Sequence, residues 1–163
     1  MRGYDTFWMA EHHSQPEGTE LIPNLLMMAV HLCGVTNNLN IGCGFNIVPM
    51  WHPLRLAEDY AMADVLTGGR VIFGVGRGYH TREVETFGSP LIDQNANREM
   101  FEEGVEVVFK AFEGKPFSHQ GKLLHDPARG AVSRLHLEED YPGAGAATAA
   151  GRMCRCYTSS TRA

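Results

Sequence analysis

The chain has 163 residues, of which 44% are hydrophobic and 20% charged, and its formal net charge is −5. That balance belongs to an ordinary globular domain and not to a disordered tail. The negative charge gives no electrostatic reason to expect nucleic acid, whose phosphates call for a concentrated basic surface, so a small-molecule substrate is the default.

In chain order, residues 6–10 (TFWMA) read as a short strand and residues 23–33 (PNLLMMAVHLC) as an apolar helix with Pro23 in its first turn. Residues 39–45 (LNIGCGF) read as a second strand. Residues 53–66 form a second predicted helix, again with a proline near its start. Its apolar stripe is Leu54, Ala57, Ala61 and Val65, and Gly68-Gly69 stop it. Residues 71–75 (VIFGV) are a third strand. Behind an Asn-rich start at residues 95–97, Phe101, Val105, Val108, Phe109 and Phe112 recur at helical spacing. Phe7, Trp8 and the pair Met27-Met28 read as core.

Strands recur about every 32 residues with helices between them, the rhythm of a parallel βα array buried on both faces. A dinucleotide-binding fold and a (β/α)8 barrel both have that rhythm, and the loops separate them. Gly74-x-Gly76-x-Gly78 lacks the G-x-G-x-x-G spacing and no helix opens directly after it, which argues against the dinucleotide fold. Polar and aromatic residues collect just past the carboxyl ends of all three strands: Glu11, His12 and His13, then residues 46–52, then Arg77, Tyr79 and His80. In a (β/α)8 barrel that face carries the active site.

Cys33 and Cys43 sit in apolar segments, and Cys154 and Cys156 form a lone C-x-C, so no zinc site is expected and the thiols read as buried and reduced, as in a cytosolic protein. The opening residues do not read as a signal peptide, and no apolar run reaches the ~18 residues of a membrane span.

Three segments resemble a known family. Gly3-Tyr4-Asp5-Thr6-Phe7-Trp8-Met9-Ala10-Glu11-His12-His13 resembles the G-[FY]-D-x-x-W-x-x-E-H-H segment of bacterial-luciferase-like, flavin-dependent monooxygenases. Pro49-Met50-Trp51-His52-Pro53-Leu54-Arg55-Leu56-Ala57-Glu58-Asp59 resembles the family's P-x-x-H-P-x-R-x-A-E-x. Thr67-Gly68-Gly69-Arg70 with Gly74-Val75-Gly76-Arg77-Gly78 resembles its S-x-G-R-x-x-x-G-[VI]-[GC]-R-G. The three arrive in family order and cover about residues 3–125.

The resemblance implies a (β/α)8 barrel that binds reduced FMN from a separate flavin reductase, adds O2 and oxygenates a small organic substrate; relatives that use the deazaflavin F420 for hydride transfer are the alternative. It implies that His12 is the catalytic acid or base, a task suited to an imidazole near neutral pH. Glu11, Gly44, Phe45 and Arg77 are implied around the flavin, with Gly44-Phe45 at a position where the family often has a non-proline cis peptide. His52, ahead of Pro53, reads as a packing or capping residue, and Glu58-Asp59 as a solvated or subunit-facing helix side. A homodimer is implied, with the helices at 23–33 and 53–66 helping to form its interface.

The resemblance also sets out departures. Met1 stands two residues from the first motif, so the first barrel strand is expected to be missing, and strands five to eight and the flavin phosphate site would need sequence beyond residue 125. Two domains are therefore expected: residues 1–125, a partial barrel of about three βα units, and residues 126–163, an irregular tail that is disordered or translated out of frame. For the latter, residues 130–135 back-translate with one dropped base to Val-Pro-Tyr-Arg-Gly-Tyr, which resembles what the family carries after its F-S-H-x-G-K stretch. On this reading the chain itself is inactive, and a non-catalytic, self-associating product is the competing class. A metal-dependent barrel hydrolase using His12 and His13 is disfavoured because neighbouring residues at a strand end point in different directions.

Overall fold

The computed structural model describes residues 3–14, 21–89, 93–115 and 117–124. The tail assigned to residues 126–163, with its frame-shift reading, lies outside the described residues.

Strand β1 (Thr6–Met9) is followed by helix α1 (Leu25–Gly34), strands β2 (Asn40–Cys43) and β3 (Asn46–Ile47), a 3-10 turn at Val48–Met50 and helix α2 (Pro53–Thr67). Strands β4 (Val71–Ile72) and β5 (Val75–Gly76) and helices α3 (Thr81–Thr86) and α4 (Gln94–Phe112) complete the order. All strand pairs are parallel. One sheet runs β1-β2-β4, and β3 pairs with β5 beyond it.

The two inner strands expected as single runs at 39–45 and 71–75 are each broken in the middle. Ile41 and Gly42 face Val71 and Ile72, whereas Asn46 and Ile47 face Val75 and Gly76. Three residues, 43–45, thus stand opposite two, Phe73 and Gly74, which is the count of a β-bulge. Gly74 is obligatory there, because a Cβ would overlap the carbonyl oxygen of Cys43. The break is a product of cross-strand register, which local apolar content does not encode.

Helix starts also move. Asn24 caps α1 by accepting from Met27 N–H at 2.9 Å, so Pro23 precedes the helix instead of lying in its first turn. Pro53 does open α2, and Gly68 ends it in the left-handed conformation at φ 65°. Asp93 caps α4 through Asn95 and Ala96 N–H, both at 3.0 Å, ahead of the Asn-rich segment. The buried face of α2 holds Leu56, Ala57, Tyr60, Ala61, Ala63 and Thr67, so the stripe through Leu54 and Val65 is offset from the true one.

The core lies between sheet and helices: Leu25 and Ala29 of α1, Ile41 and Cys43 of β2, Leu56 and Tyr60 of α2, Phe73, and Phe101, Val105 and Val108 of α4. Burying each large side chain contributes about 1.5–3 kcal/mol. Phe109 and Phe112 are only partly buried and close on Phe73, with ring centroids at 6.0 and 5.7 Å. Arg70 ties the layers: it donates to Cys33 O at 2.7 Å, Thr36 O at 2.8 Å and Thr67 O at 3.0 Å, placing one cation at the carboxyl ends of both α1 and α2.

Phe7, Trp8 and the methionine pair are not core. Trp8 is 47% exposed and covers Gly42 on the sheet face away from the helices, and Met27 is 72% exposed on α1. Among the described residues, no helix is long and apolar enough to cross a membrane.

Candidate active site

The carboxyl ends of the parallel strands bring three motif segments together. After β1, Glu11 turns inward with its side chain fully buried. Oε2 accepts from Asn46 Nδ2 and from Ile47 N–H, both at 2.8 Å, and Oε1 pairs with Trp51 Nε1–H and His13 Nε2, both at 2.9 Å. Tyr60 of α2 extends the cluster, donating its hydroxyl to Asn46 Oδ1 at 2.7 Å. Burial of a carboxylate is tolerable only with this kind of saturation. Each oxygen of Glu11 therefore already has two partners, so a direct contact with a flavin ring would have to displace one of them.

Burial is the main cause that pushes the Tyr60 hydroxyl well above its ordinary value, with the neighbouring Cys43 adding to it. Burial likewise pushes Cys43 up to about 11; the Tyr60 hydrogen bond opposes this and the nearby Glu11 charge adds to it. At neutral pH Cys43 is a neutral thiol and not a nucleophile.

The His12 ring takes a different partner from the His13 ring. It is buried, with Nδ1 3.2 Å from Glu83 Oε1, and the same oxygen accepts from His13 N–H at 2.9 Å. Around the His12 ring lie Tyr79, edge-on at 6.1 Å between centroids, and His80 at 5.6 Å. His12, His80 and Glu83 bring one ligand atom each within 4.8 Å of one another.

Glu83 is itself almost fully buried, on the six-residue helix α3, an element absent from those predicted from the sequence. The available signal was an acid in the first turn of a helix, where Glu83 complements the helix amino end. Tyr60 was missed because a lone tyrosine on a helix stripe reads as core.

The peptide bond between Gly44 and Phe45 is cis, as the resemblance implies for that position. Gly44 is exposed and Phe45 half-buried, with the Phe45 ring filling the space a Cβ at Gly76 would need. The glycines of the G-x-G-x-G run thus serve close packing. Arg77 follows β5, half-buried, and its carbonyl accepts from buried Asn97 Nδ2 at 3.4 Å. His52 is exposed at the amino-terminal cap of α2 and makes no side-chain cap bond. Glu58 and Asp59 pair with Arg55 at 2.7 and 3.4 Å on the open side of the same helix.

Parallel strands alternating with helices, with buried His12, Glu11 and Glu83 past the carboxyl ends, define part of a (β/α)8 barrel with a candidate site on its usual face. The profile of the luciferase-like monooxygenases matches residues 1–152, and the chain belongs to that family. The match runs past residue 125, into the segment assigned to the tail.

The chain is 32% identical over 156 residues to protein y4vJ of Sinorhizobium fredii, covering 95% of this chain and 43% of that protein. It is 36% identical over 94 residues to the alkanal monooxygenase alpha chain of Photorhabdus laumondii, covering 58% and 26% respectively. In structure it resembles the FMN-bound oxygenating constituent of 3,6-diketocamphane monooxygenase from Pseudomonas putida, with a TM-score of 0.68, 25% identity, and 82% of this chain and 37% of that chain covered. The F420-dependent tetrahydromethanopterin reductase of Methanopyrus kandleri shares the fold alone, with a TM-score of 0.61, 21% identity and coverage of 86% and 41%. The chain spans less than half the length of these relatives.

Proposed function

We propose that this chain carries the flavin-facing and substrate-facing strand ends of a monooxygenase that uses reduced FMN from a separate reductase, together with O2, to oxygenate a small organic compound such as an aldehyde. The observation that carries the reading is buried His12, held by a buried carboxylate at the carboxyl ends of the strands, in a chain of this family.

The residues fit a planar ring system. Exposed Gly44 leaves its backbone uncovered where a Cβ would have met Trp8 at 3.3 Å, and exposed Trp8 and Tyr79 offer aromatic faces. Gly44, Phe45 and Trp8 would hold the ring, with Arg77 at the rim. When bound, reduced flavin supplies the activation of O2. The protein's part is then to keep water from the ring with these aromatic faces and to exchange a proton at the His12 imidazole. Glu11 supports the site through Asn46, Trp51 and His13.

At under half the length of its relatives, the 163-residue chain by itself is expected to give no turnover and to bind FMN more weakly than about 100 μM. The test is an aldehyde panel assayed with O2, NADH, FMN and a flavin reductase, using this chain completed with the remaining length of a family member. Oxygen-dependent product formation is expected, and His12→Ala should lower kcat by about 100-fold with little change in reduced-FMN affinity. A loss below threefold removes His12 from the chemistry. Turnover of F420 without O2 consumption would favour the hydride-transfer class instead.

A further inference from the structure

We propose that Glu83 is the positioning residue that sets the tautomer of His12, holding the proton on Nδ1 so that Nε2 carries the lone pair. Its relevance to turnover rests on the reading of His12 as the proton-transfer group. The geometry comes from two segments far apart in the chain. His12 follows β1, His13 fixes the carboxylate from the main chain, and Glu83 projects from α3 some 70 residues later. Glu83 Oε1 lies 3.2 Å from His12 Nδ1 and 2.9 Å from His13 N.

A main-chain N–H can only donate, so this oxygen accepts from His13; an ionised carboxylate has no proton to give, and beside one the facing imidazole nitrogen is the donor. A carboxylate facing one ring nitrogen therefore selects the tautomer protonated on that nitrogen, and the bond is strengthened by charge. Both side chains are nearly excluded from solvent, at 8% and 1% exposure, so water competes little for either. Glu83 is thus not a spare surface acid on a short helix. Its burial would be costly without these donors.

The competing occupant is a divalent cation, since two histidines and one carboxylate form a familiar ligand set and His12, His80 and Glu83 have ligand atoms within 4.8 Å of each other. The main-chain N–H of His13, which already occupies Glu83 Oε1, favours the hydrogen-bonded pair over the metal.

The experiment is long-range 15N–1H correlation of the histidine rings in the chain as it stands, at pH about 8, where ordinary imidazoles are neutral, with His12 assigned by loss of its signals in H12Q. The wild-type ring is expected as the Nδ1–H tautomer. In E83Q, which keeps the volume and an acceptor for His13 N–H but loses the charge, the Nδ1–H to Nε2–H ratio is expected to fall by about tenfold with unchanged circular dichroism.

A wild-type ring protonated on Nε2 overturns the proposal, as does a ratio that E83Q leaves unaltered. One-to-one zinc binding at micromolar concentration that moves the His12 and His80 signals together assigns the cluster to a metal and overturns it too. Where E83Q does not fold, the wild-type spectrum decides alone. The readout needs neither flavin nor turnover, so a correct tautomer in an inactive enzyme would count against the proposed function and leave this assignment standing.

Discussion

Glu11 accepts from donors that come from α2's entry turn, from β3 and from its own strand end, so one carboxylate fastens the strand ends together. Exchanging it for an amide of the same volume turns one acceptor into a donor facing donors. Glu11→Gln is expected to cost about 2–3 kcal/mol in urea unfolding, because the stranded N–H groups have no water to turn to. Arg55→Ala, which breaks the exposed pairs to Glu58 and Asp59, should stay within about 0.5 kcal/mol and serves as the control. Equal losses in the two variants would mean that the Glu11 cluster does not hold the strand ends. The residue types of the site were legible at Glu11-His12-His13, since acids and histidines at a strand end announce themselves. Which of them works inward was not, because the partners Asn46 and Glu83 lie 35 and 71 positions away from Glu11 and His12.

Among the elements, the segment 117–124 packs Phe117 against the core and is clipped to α4 by Glu103. That carboxylate accepts from Leu124 N–H at 2.8 Å, from Leu123 N–H at 3.0 Å, and pairs with His119 Nε2 at 3.1 Å. Burial pushes its carboxyl up, but the bonds from Leu124, His119 and Leu123 outweigh that and hold it below its ordinary value of 4.5. A carboxyl lowered on folding stabilises fully above the unfolded value and loses that contribution as pH falls through the folded one. Amide-exchange protection of Leu123 and Leu124 is therefore expected to persist at pH 6 and to drop below about pH 4.5 ahead of α4. Protection unchanged at pH 3 would show that other contacts hold the segment. The strand–helix rhythm, Pro53 and Gly68 made most elements legible. α3 and the strand breaks were not, since six residues give too little periodicity and the bulge arises from pairing between strands.

On the scale of the whole molecule, α1 and α2 leave an apolar groove of about 430 Å³ between them, lined by Leu26, Met27, Val30, Met62, Ala63 and Leu66. Met27 and Leu66 stand well exposed beside it. These are the two helices that the family resemblance assigns to a dimer interface, and a groove flanked by exposed apolar side chains is poorly suited to water. Sedimentation of the chain is expected to give a concentration-dependent dimer, and M27E with L66E a monomer of unchanged circular dichroism, as both side chains lie outside the core. A wild-type monomer at about 100 μM would leave the groove without this role. The parallel βα array was readable from spacing, and the loops past the strand ends separated the barrel from a dinucleotide-binding fold, whereas the outward methionines were not legible, because an apolar helix reads the same from the sequence whether its second face meets core or a partner.

The chain's two tryptophans fall in separate environments, and this makes the protein its own optical instrument. Trp51 donates its indole N–H to Glu11, whereas Trp8 lies uncovered beside Gly42 and Gly44. A ligand settling on the open strand ends would darken Trp8 emission, flavin being an energy acceptor for indole. Loosening of the Glu11 cluster would instead redden Trp51. With Trp8→Phe and Trp51→Phe as single-emitter versions, occupancy and integrity of the site can be followed as two colours in one cuvette.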